Sequence, residues 1–191
     1  MDIDCNQFKY IIKNSDHPQA DAGCGYRETC VFLLLHDVDA PYIVFILKAD
    51  NAGYPWRNQM ALPGGHIDEM DKTPLDAAFR ELDEELNIKR DQVVTIGSMG
   101  HFPTINKRDI EVFVGYLKEE GDIAFDPSEI AKVVRIPLAE LFRIHVSNHY
   151  EEGFPGWEKL LYPYEDIVVW GATARIIHYF IDLIQPAVTL A

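Results

Sequence analysis

The chain is poor in cysteine, in positive charge and in long apolar runs. Its three cysteines, Cys5, Cys24 and Cys30, form neither a CxxC pair nor a dense framework in 191 residues. An odd count leaves at least one thiol free, which argues against a disulfide scaffold and favours a reducing compartment. Lysine and arginine total 17 against 31 acidic residues, for a formal net charge of −14. A bare acidic surface repels polyanions, so nucleic acid is not an expected partner. A phosphate-bearing ligand would need local neutralisation, for which a divalent cation is the obvious agent. The opening MDIDCNQFKY has no basic segment leading into an apolar core, unlike a secretory signal. No apolar stretch reaches the roughly 18 residues of a membrane span. The expectation is a soluble, cytoplasmic protein with no membrane partner.

What the chain does have is enough apolar residues, 48% of the total, to bury one full core. Residues 1 to 26 are polar and broken by Pro18, Gly23 and Gly25, which reads as an N-terminal arm before a single domain over 27–191. Two β-branched-rich runs, Thr29 to Leu35 and Tyr42 to Leu47, flank the turn-like Asp37 to Pro41 and read as a hairpin. After the Pro/Gly-punctuated stretch Asn51 to Gly65, Thr73 at N-cap, Pro74 at N1 and Asp76 at N3 mark a helix running to Leu86 or Asn87. Further strands are expected at Val93–Ser98, Glu111–Leu117 and Lys132–Ile136, and a last helix at Gly171–Ile184, stopped by Pro186. This order fits an α/β (α+β) fold, a mixed central sheet flanked by helices.

At about 100° per residue, Leu75, Ala78, Phe79, Leu82 and Leu86 form one apolar stripe of the first strongly signalled helix. Glu81, Glu84 and Glu85 share the i, i+3, i+4 spacing, so their carboxylates neighbour one another beside that stripe. They repel unless a cation sits among them. A solvated acidic face is the plain alternative in so acidic a chain. Just upstream, Leu62-Pro63-Gly64-Gly65 can form a tight turn whose backbone lies near the helix start. Carboxylates with free glycine carbonyls make a typical magnesium environment.

These residues resemble the Nudix family. Arg80-Glu81-Leu82-Asp83-Glu84-Glu85-Leu86-Asn87-Ile88 is similar to the second half of the Nudix box, with Asn87 in place of its late glycine. Between Gly65 and Arg80 there is one residue more than the strict box allows, and Asp71 stands where its first glutamate is expected. That variant resembles the coenzyme A diphosphatase branch. So do Gln59 to Gly65, Ile136 to Leu141 and Trp170 to Ile176, although Tyr54 and Asn58 replace the arginine and glycine typical of that branch.

The resemblance implies a Nudix-type α/β/α sandwich and a hydrolase that uses Mg2+ or Mn2+ to split the diphosphate of a small nucleotide-like substrate. A coenzyme A-like molecule, a nucleotide sugar and ADP-ribose are all open. It also implies metal ligands at Glu81, Glu84 and Glu85 with a Gly64 or Gly65 carbonyl, an orienting role for Arg80 and a structural one for Asp71. A general base in the loop Lys118 to Glu129 follows too, with Glu129 chosen and Glu111 second. Arg57, Gln59, His101 and Arg108 are candidate substrate contacts. The aromatic stretch Arg143 to Glu165 reads either as a base-stacking surface or as a hairpin packed on the domain. A homodimer is expected from the family habit. The alternatives are a housecleaning nucleoside triphosphate pyrophosphatase and a non-catalytic nucleotide-sensing module.

Overall fold

Strand β2 (Arg27–His36) reads RETCVFLLLH, apolar on both faces as a strand covered from two sides must be. In the computed structural model, which describes residues 2–20, 25–37, 40–51, 57–119 and 123–189, its side chains alternate between two buried clusters. Leu33 and Leu35 enter one, and Cys30, Phe32 and Leu34 the other. Cys24, Tyr54, Glu120 and Asp122 lie outside the described residues.

Around β2 stand β1 (Asp2–Ile3), α1 (Cys5–Asn14), β3 (Tyr42–Lys48), β4 (Met60–Ala61), β5 (Gly64–His66), α2 (Pro74–Leu86), β6 (Val93–Pro103) and β7 (Arg108–Leu117). There follow β8 (Ile130–Pro137), α3 (Leu138–Ser147), β9 (Tyr162–Tyr164), β10 (Ile167–Val169), α4 (Gly171–Ile184) and β11 (Val188–Thr189). β2 runs parallel to β7 from Arg27↔Arg108 to Leu35↔Tyr116, and β6 pairs antiparallel with β7. On its other edge β2 meets β3 only at Leu35↔Ile43 and His36↔Tyr42, and β5 takes that edge from Thr29 to Val31. β3 in turn pairs with β4 and β8. The sheet is mixed, and β2 and β3 diverge around a diglycine strand.

Helix α2 covers one face through Ala77, Ala78, Phe79, Leu82 and Leu86. The other face carries α1, α3 and α4, through residues such as Phe8, Ile12, Leu141, Phe142, Ile177 and Phe180. The α/β/α sandwich with a mixed sheet is therefore observed. The α2 ends follow their local signals: the Thr73 hydroxyl accepts from the Asp76 N–H at 3.1 Å, and Asn87 closes the helix in the left-handed region at φ 54°.

Three features differ from the sequence reading. The stretch 1–26 carries α1, capped by Asp4, whose Phe8 and Ile12 are buried in the larger cluster, and β1 pairs with β11. The segment after β8 forms α3, beginning directly at Pro137 without a side-chain cap. The diglycine segment bends at Pro63 and then becomes strand β5, not a simple turn. Ile12→Ala should lower unfolding free energy by about 2–4 kcal/mol in urea titrations. A change near zero would mean that α1 is peripheral after all.

Candidate active site

The strip on α2 is organised by two cations supplied by the chain itself. Arg80 lies at its centre. Its Nε and Nη2 donate to both oxygens of Asp71 at 3.2 and 3.0 Å, and Nη1 donates to Glu81 and to Glu84, each at 2.9 Å. Nη2 also reaches the carbonyl of His66 at 2.8 Å, which ties the middle of α2 to the end of β5. This guanidinium holds the Asp71 carboxyl below the usual carboxylate range. Asp71 also accepts from the Asp68 N–H at 2.9 Å, so it closes the loop before the helix.

Glu85 lies deeper. Only 6% of the residue is exposed, whereas the Glu84 side chain is 59% exposed. The Lys48 ammonium, from the end of β3, binds one Glu85 oxygen, and the Gly64 N–H donates to the other at 2.8 Å. Burial pushes the Glu85 carboxyl above its ordinary range, while Lys48 and Gly64 pull it back. Glu81 is raised for the same first reason, against the pull of Arg80. The expectation from helical spacing, which makes Glu84 and Glu85 neighbours on one acidic strip and would leave both facing solvent, therefore needs correction. The turn of α2 carries Glu85 under the sheet and leaves only Glu84 in water.

The two glycines do different work. A Cβ on Gly65 would come within 2.4–2.5 Å of the Glu81 carboxylate, so the bare backbone is what lets that carboxylate approach β5. Gly64 has φ +144°, and a Cβ there would meet the Cys30 carbonyl at 2.2 Å, inside the sheet. On the same side as Glu81, the Cys30 thiol is pushed up to about 12, by burial first and by the nearby Glu81 charge second. It is not an activated nucleophile.

A cavity of ≈ 590 Å³ opens where β2 and β3 diverge, with Gly64 and Gly65 on its wall. Gln59 and Arg108 line it, as does Trp157 of the aromatic stretch, together with Lys48, Trp170 and Thr173, which the sequence had not singled out as site residues. Lys48 had a visible signal, being the one charge that closes an otherwise apolar strand. Arg57 is exposed 3.8 Å from Asp50, and His101 is held by Asp109 at 2.8 Å; neither is among the lining residues. Glu129, exposed at the turn before β8, is close enough to Glu85 for its charge to disfavour ionisation there. Glu111 accepts from the Ser98 hydroxyl at 2.9 Å. Of the aromatic stretch, His145, Tyr150 and Tyr162 are core residues, and Trp157 faces the cavity. Arg27 and Arg108 lie directly opposite on β2 and β7, and His66, two pairs along on β5, has its pKa lowered by burial and by both arginines.

The donor set suits a hard divalent cation. It consists of carboxylate oxygens, two of them partly desolvated and each already matched to a positive group of the chain. One oxygen each of Glu81 and Glu84 meets at Arg80 Nη1, while Glu85 faces Lys48.

A helix-borne acidic strip facing a diglycine strand, in a mixed sheet covered on both faces, is the arrangement that the Nudix box builds. Residues 27–155 match the NUDIX domain, and the chain belongs to that family of hydrolases. A protein described as the uncharacterized Nudix hydrolase NudL of Photorhabdus laumondii is 30% identical over 129 residues, 66% of this chain and 69% of that one. NudL of Escherichia coli K12 is 32% identical over 122 residues, which span 62% of this chain and 63% of the relative. Among solved structures, the Nudix hydrolase RenU of M. smegmatis superposes with TM-score 0.54 at 14% identity, covering 87% of this chain and 90% of that one. A MutT/nudix family protein from Enterococcus faecalis gives 0.53 at 14% identity, covering 97% and 76%. Likeness at that identity is a likeness of fold.

Two pairs of variants separate these roles. Glu85→Gln should cost roughly 1–3 kcal/mol in chemical denaturation, because it leaves Lys48 facing a neutral partner at a buried place, and Glu84→Gln should cost almost nothing. Equal losses in the two would contradict the burial difference. Gly64→Ala should broaden or abolish the unfolding transition by forcing β5 off β2. Gly65→Ala should leave the transition intact, since the displaced group is the movable end of a side chain.

Proposed function

We propose that the protein hydrolyses the diphosphate linkage of a nucleoside-diphosphate derivative with the help of Mg2+ or Mn2+. The observation that carries this reading is the Glu81, Glu84 and Glu85 strip set against the Gly64-Gly65 backbone at the wall of a cavity large enough for a nucleotide. Glu81, Glu84 and Glu85 are the ligands, with a Gly64 or Gly65 carbonyl as an added oxygen. Bound there, the cation would supply charge neutralisation at the diphosphate and a more acidic water. Arg80 keeps Glu81 and Glu84 aimed, and Asp71 keeps Arg80 in place. Glu129, or else Glu84, takes the proton from the attacking water. Both are exposed to the solvent from which that water comes.

For the substrate, Arg108 and Gln59 on the cavity wall are contacts for phosphate and polar groups, and Arg27, paired with Arg108 across β2 and β7, adds positive charge beside them. Trp157 and Trp170 offer flat apolar surfaces for a base or an apolar arm. A coenzyme A-like molecule, a nucleotide sugar and ADP-ribose all carry a diphosphate joined to such groups. The coenzyme A-like reading draws on the one-residue extension of the box and on Asp71.

The test is a screen of coenzyme A, ADP-ribose, nucleotide sugars, dinucleoside polyphosphates and nucleoside triphosphates with magnesium and with manganese. Two phosphorylated products should be released, and chelator should stop the release. Glu84→Gln should lower kcat by two orders of magnitude or more with the thermal midpoint unchanged. Activity indifferent to chelator, or normal turnover in that variant, would end this assignment.

A further inference from the structure

A second cluster of ligand-type side chains lies on the opposite face of the sheet from α2. His178 and Asp182 are one turn apart on α4, so they share a face of that helix. His145 meets them from α3. Asp182 bridges the two imidazoles: its Oδ1 is 2.9 Å from His145 Nε2, and its Oδ2 is 3.2 Å from His178 Nδ1. One ligand atom from each residue can be chosen so that all lie within 4.8 Å of one another. Both histidines are buried, while Asp182 is 39% exposed and reaches a cavity of ≈ 440 Å³ beside Phe154, Trp157 and Arg175.

The hydrogen bonding of this cluster is incomplete in one informative place. With Asp182 ionised, each ring gives it an N–H, and the Tyr162 hydroxyl lies 2.9 Å from His145 Nδ1. That leaves His178 Nε2 as a buried lone pair without a hydrogen-bond partner. A cation taking the lone pair of His178 Nδ1 would move that ring's proton to Nε2, on the side of the ring away from Asp182. On His145, ligation through Nε2 puts the proton on Nδ1, where Tyr162 Oη accepts it. His145 then has the outer partner that metal-bound imidazoles generally keep.

We propose that His145, His178 and Asp182 form a transition-metal site of the zinc type, separate from the acidic strip on α2 and independent of the hydrolase reading. Two imidazole nitrogens and one carboxylate suit zinc better than magnesium, which prefers an all-oxygen shell. Tetrahedral zinc sets its ligand atoms roughly 3.3 Å apart, close to the two N···O distances already present. The fourth position opens toward the ≈ 440 Å³ cavity and is available to water. Arg175, one turn earlier on α4, is drawn aside by the Pro103 carbonyl at 3.0 Å and by the Trp157 ring. The ion would fasten α3 to α4.

The test uses the full chain, stripped with chelator and kept in excess magnesium so that the α2 carboxylates are not competing for zinc. Zinc should then be retained at one per chain after desalting and should raise the thermal midpoint. Cobalt(II) in its place should show the visible absorption of a four-coordinate nitrogen and oxygen site. His178→Ala and Asp182→Asn should lose both signals, and Glu84→Gln should keep both. Asp182→Asn changes a half-exposed group of the same shape, so it remains decisive if the histidine variant unfolds. Absence of retained zinc and of a midpoint shift in the parent would overturn the site. Undiminished zinc in the Asp182 and His178 variants would overturn it as well. Loss of zinc in Glu84→Gln would reassign the ion to α2 and defeat the proposal.

Discussion

The arrangement depends first on a carboxylate taken out of water. Glu85 leaves the solvated side of α2 and comes to rest between the ammonium of Lys48 and the amide of Gly64, so one side chain fastens the helix to β3 and to β5. An isolated charge in that place would be expelled or neutralised. Its two partners come from the strands that border the opening in the sheet. The divergence of β2 and β3, the short diglycine strand between them and the pitch of α2 are thus parts of one electrostatic arrangement. Arg80 repeats it nearer the surface, joining Asp71, Glu81, Glu84 and the His66 carbonyl around a planar cation.

This accounts for how a chain of net charge −14 can handle a polyanionic linkage. The surface at large repels phosphates. Positive charge is concentrated where β2 and β7 lie side by side, through Arg27 and Arg108, with Lys48 on the cavity wall. Attraction is confined to the place where the acidic strip, with the proposed cation, would complete it. Steering in such a molecule is local, and the rest of the surface works against non-specific polyanion binding.

Features set by short-range chemistry could be read from the residues. Thr73, Pro74, Asp76 and Asn87 bound α2 because caps and left-handed closure depend on neighbours within one turn. The apolar stripe of α2 followed from periodicity, and the strand β2 from its apolar, β-branched run, whose cover on both faces emerged only in the fold. α1 was hidden because Pro18 and the glycines beyond it gave the whole stretch a loop-like composition, although Phe8, Ile11 and Ile12 have helical spacing. α3 was hidden because it starts at Pro137 with no capping side chain. Within the site, the spacing of the three glutamates was visible, but the different burial of Glu84 and Glu85 was not. That difference is decided by where Lys48 and Gly64 stand, 37 and 21 residues away. The cavity wall likewise joins residues from distant segments, and Trp157 and Trp170 become neighbours of Gly64 only once the sheet has opened.

The pairing of β1 with β11 bears on how the chain is made. Asp2 and Ile3 lie in register with Thr189 and Val188, and α1 packs on α4 as well as on β6. During synthesis α1 emerges before β6 and α4, the two elements it packs on, so its contacts with them can form only after each has been made.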